Sequence, residues 1–270
     1  MSRSLVSICV LASAVSASAQ TVPAEQPPST GSDLSRFLPD DGFAEDGRRT
    51  LGSFPKNLGR SFIGVFSKES LAPFVIGAAA TGAAGFFDGQ AHNALIGRAP
   101  GFSNAASTAG GFAVLAPATI ALFAAGRVAH DSHFRAFTYD ATQALIVNGI
   151  YTEILKKAIH RERPDGSDRM SFPSGHSSSA FAIATVAEEH YGWRVGIPSY
   201  LAASAIGLSR ISGNKHYLTD VLAGAALGTI TGRTVVRQNG ERVGPHRTFS
   251  LGPMTDGHGT GIGLGGSVSW

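Results

Sequence analysis

The chain has 270 residues, 43% hydrophobic and only 15% charged, against about 25% charged in a typical soluble domain. The length allows one large domain or two small ones, and the 34 glycines follow no collagen-like period. Lys and Arg number 22 against 19 Asp and Glu, a balance too close to argue for a nucleic-acid partner.

Residues 1–19 read as a secretory signal peptide. Arg3 supplies the charged start, residues 5–15 are mostly apolar, and Ala17-Ser18-Ala19 is an A-x-A cleavage site. The run is short for the roughly 20 residues of a membrane span. The single cysteine, Cys9, lies inside this leader, so the exported chain is expected to have no disulfides and to be held by packing alone. The expected location is the periplasm or the periplasmic face of a membrane. Residues 20–50, rich in Pro, Ser, Asp and Gly, read as a flexible leader.

From residue 51 to 242 apolar, alanine-rich runs of helix length follow one another: 71–87, 104–128, 135–160, 176–191, 195–210 and 217–236. Turn signals such as "FFDGQ", "AHDSH" and "ISGNK" part them. The expectation is an all-α bundle of about six core helices with its site at helix ends. Gly224, Gly228 and Gly232 recur every four residues, a small-residue face that lets two helix backbones approach. Charges such as Asp140 and Glu153 interrupt several runs. A mostly globular bundle with one or two membrane-touching helices is therefore expected. Residues 243–270 alternate apolar and small residues about a "TDGHG" turn, the pattern of a short β-hairpin.

Three short motifs carry chemistry. In "KKAIHRERP", Lys156 and Arg163 are seven residues apart, which on a continuous helix puts both on one face; Pro164 marks the boundary. In "PSGH", Ser174 can cap a helix, Gly175 lets an anion approach the backbone, and His176 exceeds what capping needs. A proton donor beside an anion pocket suits a general acid. In "SRISGNKHYLTD", Asp220 follows His216 by four residues. Its carboxylate can accept the Nδ1–H bond and leave Nε2 as a nucleophile. His130 and His133 flank Asp131, but no further ligand spacing supports a metal site there.

Taken together, Lys-x6-Arg-Pro, Pro-Ser-Gly-His and Ser-Arg-x5-His-x3-Asp, in this order over residues 156–220, resemble the signature of the type 2 phosphatidic acid phosphatase and vanadium haloperoxidase superfamily. The resemblance implies a phosphatase acting on a phosphate monoester or diphosphate, with a lipid-linked substrate favoured and a soluble acid-phosphatase substrate as the alternative. It implies that His216 attacks phosphorus, Asp220 orients it, and His176 serves the leaving group and then water. Lys156, Arg163 and Arg210 would hold the phosphoryl oxygens together with Ser174 and Gly175. No metal or other cofactor is then needed; in a haloperoxidase the same cage would hold vanadate on His216. The short connection at 165–172 leaves little room for a lid.

Overall fold

A computed structural model of the chain describes residues 48–240, and beyond them only the backbone of 248–255 and 262–269. The signal peptide and leader expected at 1–50 lie almost wholly outside the described residues. The described part is all-helical up to residue 240. Its α-helices are α1 (Phe54–Gly64), α2 (Lys68–Ala84), α3 (Asp88–Leu95), α4 (Pro100–Ala109), α5 (Phe112–Val128), α6 (Ser132–Ile159), α7 (Gly175–Tyr191), α8 (Trp193–Ser212) and α9 (Leu218–Asn239). A 3-10 turn, Gly85–Phe87, joins α2 to α3. Thr248–Thr255 and Ile262–Ser269 run antiparallel, and the packing of such a hairpin on the bundle falls outside the described side chains.

Among the described residues nine α-helices replace the six runs read from sequence, and the differences have local causes. The run 104–128 is two helices, broken at Gly110 and Gly111 with a bend of 55°; Gly111 takes an extended conformation, and two adjacent glycines are poor helix formers. Helix α1 was missed because only part of its surface is apolar; Pro55 sits in its first turn, where a missing N–H costs nothing. The "FFDGQ" stretch is not a plain turn. Asp88 opens α3 and is used elsewhere, as described below.

Helices α6, α7 and α9 form the centre. Asp131 caps α6 by accepting the Phe134 N–H at 3.1 Å. Helices α7 and α9 meet on the small-residue face. A Cβ at Gly224 would lie 2.5 Å from the Ser174 carbonyl oxygen, and one at Gly232 would lie 2.8 Å from that of Ala182. At Gly228 it would overlap the Ser178 carbonyl. The three glycines thus ride on three α7 carbonyls at the same four-residue spacing, and only hydrogen fits. Between α6 and α7 a short polar rung forms, Asn148 Nδ2 donating to Ser178 Oγ at 3.0 Å. Val147, Val186, Leu227 and Val235 fill the rest of the core.

The outer helices show the opposite pattern. Ile63, Phe66, Ile76, Phe86, Ile120 and Leu201 are each more than two-thirds exposed, far more apolar surface than a water-soluble monomer usually leaves open. The continuous segment Lys68–Leu95 is long and apolar enough to cross a membrane. The bent pair of α4 and the greater part of α5 passes the same test as one broken span.

Candidate active site

The C-terminal end of α6 and the N-terminal ends of α7 and α9 open on one side of the bundle. Helix α6 runs antiparallel to α7, since Gly175 lies against Thr152 and Lys156 while His190 at the other end of α7 bonds Asp140. A cavity of about 820 Å3 opens there, and Lys156, Arg163, Gly175, His176, Ser179 and His216 are on its wall. Leu115, Ile120, Leu145, Ile146 and Ile150 from α5 and α6 supply much of the remaining wall, with Thr119, Thr142, Thr152, Glu153 and Lys157 among them.

Lys156 and Arg163 meet in this cavity by a different route from the one the spacing suggests. Helix α6 ends at Ile159, where His160 takes the left-handed conformation (φ 50°) and its N–H bonds the Lys156 carbonyl at 3.1 Å. Arg163 is therefore on the following loop, not two turns along the same helix. That loop is fastened by the Arg163 Nε bond to Asp168 Oδ1 at 2.7 Å. Lys156 donates to the Met170 carbonyl. Burial, and then the nearby Arg163 charge, lower its pKa to about 8.

His216 directly precedes α9, whose N-cap is Tyr217. Its Nδ1 faces Asp220 Oδ2 at 3.6 Å. Burial first, opposed by Asp220 and reinforced by Lys156 and Arg163, pushes the His216 pKa down to about 4. The imidazole is therefore neutral at pH 7, as a nucleophile requires. Asp220 is fully buried and accepts from Ser171 Oγ at 2.5 Å, the Tyr217 N–H at 2.8 Å and Arg161 Nη1 at 2.7 Å. Burial raises its pKa, but the nearby His216 ring, the bonds from Ser171 and Tyr217 and the Arg161 charge outweigh that and keep it ionised.

Ser174 caps α7, its Oγ accepting the Ser177 N–H at 3.5 Å, while its own N–H donates to the Asp220 carbonyl at 2.9 Å. It is wholly buried and stands behind the helix mouth, off the cavity wall. Gly175 is on the wall, where first-turn N–H groups have no partner within the helix. His176 Nε2 lies 3.0 Å from the Ser107 carbonyl. Burial lowers its pKa, the Ser107 bond opposes this, and Arg210, Arg163 and Lys156 lower it further. Arg210, in the last turn of α8, is buried and off the cavity wall, with its charge close enough to act on His176. Lys156, Arg163, Gly175, His176 and His216 thus share one cavity, with Asp220, Ser174 and Arg210 packed behind.

Arg161, two residues before Arg163, holds no signature position in the three motifs yet is part of the site. Its guanidinium bridges Asp220 and Asp88, at 2.7 Å and 2.9 Å, and lies 4.1 Å from the Tyr217 ring centre. Asp88 in turn accepts the Thr219 N–H at 2.9 Å and so caps α9 from another helix. No sequence spacing joins residues 88, 161 and 220, so the signal was absent. Arg161→Ala is expected to lower kcat by about 10- to 100-fold with little change in KM, and Arg161→Lys to recover only part of it, because one ammonium cannot span both carboxylates. Equal losses in kcat and thermal stability across both variants would assign Arg161 to folding alone.

The family model described as "PAP2 superfamily" matches residues 140–243. The chain is 45% identical over 80 residues to the lipid A 1-phosphatase of Porphyromonas gingivalis, covering 28% of this chain and 18% of that relative. It is 30% identical over 141 residues to the decaprenylphosphoryl-5-phosphoribose phosphatase of Mycolicibacterium smegmatis, covering 48% of this chain and 75% of the relative. It is 32% identical over 111 residues to the phosphatidylglycerophosphatase B of Bacillus subtilis, covering 34% and 55%. Among solved structures, the transmembrane PAP2-type phosphatidylglycerolphosphate phosphatase of Bacillus subtilis shares the fold. Its TM-score is 0.50 at 23% identity, covering 61% of this chain and 92% of that one.

Proposed function

The chain belongs to the PAP2 superfamily, and on that premise we propose that it is a phosphoric ester hydrolase acting on a lipid phosphate through a phosphohistidine intermediate. The observation that carries the proposal is the meeting of Lys156, Arg163, His176 and His216 on one cavity, to which Leu115, Ile120, Leu145, Ile146 and Ile150 give a broad apolar wall. The polar end suits a phosphoryl group and the apolar walls suit its hydrocarbon leaving group. The named activities of the three relatives, all phosphatases of lipid or prenyl-linked phosphates by name, point the same way.

In this reading His216 Nε2 attacks phosphorus while Asp220 orients the ring from its Nδ1 side. Lys156, Arg163 and Arg210, with the first amides of α7, stabilise the charge that gathers on the equatorial oxygens. The P–O bond to the leaving group breaks as His176 gives that oxygen a proton. Water then attacks the phosphohistidine, His176 takes its proton, and the P–N bond breaks. Three fixed cations supply the charge that a metal would otherwise provide. The N-terminal leader would export the chain, and the apolar outer helices would hold the site at the outer face of a membrane.

The test is phosphate release from phosphatidic acid, a polyprenyl diphosphate and a soluble monoester, with and without detergent. Release from a lipid substrate, favoured over the soluble one, is the expected result; no release from any of the three overturns the reading. The pH profile follows from the two histidines. His216 must be neutral, so kcat/KM climbs as pH rises through about 4. His176 must be protonated, and its pKa is lowered, so kcat/KM falls again below the ordinary histidine value of about 6.5. An optimum above pH 8 would contradict these assignments.

A further inference from the structure

The two site histidines are seated against different acceptors. His216 has a carboxylate, that of Asp220. His176 has a backbone carbonyl, that of Ser107 near the end of α4, 3.0 Å from Nε2. A carbonyl can only accept, so Nε2 carries a hydrogen and Nδ1 is the nitrogen left for the substrate. Three residues on, Gly110 presses against the same ring. A Cβ there would overlap His176 Cδ2 and would lie 3.0 Å from Nε2 and 3.1 Å from Cγ. The Gly110 backbone has φ −87° and ψ −1°, which any residue adopts, so it is space beside the imidazole that this position leaves open. Ser107 and Gly110 belong to the elbow between α4 and α5, which lies outside the matched family region at 140–243.

We infer that the α4–α5 elbow is a positioning device for His176: the Ser107 carbonyl holds Nε2–H, Gly110 makes room for the ring, and Nδ1 is the atom that passes the proton to the leaving group. The inference rests on the phosphatase reading for its chemistry. The choice of acceptor suits the two roles. A carboxylate strengthens an imidazole as a base and nucleophile, whereas a neutral carbonyl orients a ring with far less effect on its acidity. In the first step the imidazolium Nδ1–H bond breaks and the proton goes to the leaving oxygen, as the bond from His216 to phosphorus forms and the P–O bond breaks. In the second step Nδ1 takes a proton from the attacking water. Nε2–H stays on Ser107 throughout.

The leaving group provides a readout that mere damage to the fold would not give. Gly110→Ala displaces the ring. It is expected to cost on the order of 100-fold in kcat/KM for an alkyl phosphate, whose alkoxide must be protonated, and less than about 5-fold for 4-nitrophenyl phosphate, whose leaving group departs as a stable anion. Equal losses for the two esters, or none, overturn the inference. Should Gly110→Ala fail to fold, the wild-type protein still decides. A long-range proton–nitrogen NMR spectrum in detergent, with the His176 signals assigned by their loss in His176→Gln, should show the neutral Nε2–H tautomer, and the Nδ1–H tautomer overturns the proposal. If wild-type protein hydrolyses neither ester, the phosphatase reading falls, while the tautomer still reports on the seat.

Discussion

Replacing His216 with Ala is expected to lower phosphate release by roughly 10⁴- to 10⁶-fold, the loss typical of removing a covalent nucleophile. The side chain is only 2% exposed, faces Asp220 and shares its cavity with His176, Lys156 and Arg163. In the proposed reaction this imidazole, neutral at pH 7 and close to two cations, is the group that attacks phosphorus. The measurement is single-turnover phosphate release, paired with acid-quench and alkaline-quench trapping of the protein. A phosphoryl group on nitrogen is lost in acid and survives alkali. Wild-type enzyme should show such an adduct and His216→Ala should not. Turnover of the variant near the wild-type rate, with its unfolding midpoint preserved, would remove His216 from the reaction path. Asp220→Asn is the informative partner, since it keeps the shape but loses the charge that orients the ring.

The second large effect is on stability. Asp140 is fully buried in α6 and accepts from Arg49 at 2.9 Å, His190 Nε2 at 2.9 Å and Asn239 Nδ2 at 2.7 Å. It ties the segment before α1 to the far ends of α7 and α9. Asp140→Ala leaves the Arg49 guanidinium buried and unpaired, which costs about 3–5 kcal/mol, a large part of the roughly 5–15 kcal/mol that holds a domain folded. A fall of about 6–20 °C in unfolding midpoint is expected for a domain of this size. Asp140 lies 16 residues before Lys156 on one helix, about 24 Å along its axis, so the folded fraction should keep the wild-type KM and pH profile. The double variant Asp140→Leu with Arg49→Met should regain much of the loss, because buried ion pairs exchange well for apolar packing. A midpoint unchanged in Asp140→Ala would show that the cluster does not hold the bundle.

The two predictions sit at opposite ends of the same three helices, and sequence alone treated them unequally. The chemical end was legible. Lys156, Arg163, Ser174, Gly175, His176, Arg210, His216 and Asp220 fall in three compact motifs within 65 residues, and local chain direction brings such motifs to helix ends whatever the rest of the fold does. The small-residue face of α9 was legible for a similar reason. A four-residue period is a property of one helix, and its partner on α7 repeats it in Ser174, Ser178 and Ala182. The Asp140 cluster was not legible. Asp140 read as a charge that broke an apolar run, and its partners lie 91, 50 and 99 residues away.

The sequence by itself determined the all-helical architecture, the runs that become α2 and α4–α9, and the residues of the candidate site, because each depends on periodicity or spacing within one segment. Tertiary structure decided which acceptor each side chain meets. Arg163 reaches Lys156 from a loop and not along a helix, Asp88 caps a helix 130 residues later, and the bend at Gly110 sets a carbonyl against His176. Hydrogen bonds and ion pairs act only over a few ångströms, and those distances are set by how separate helices pack.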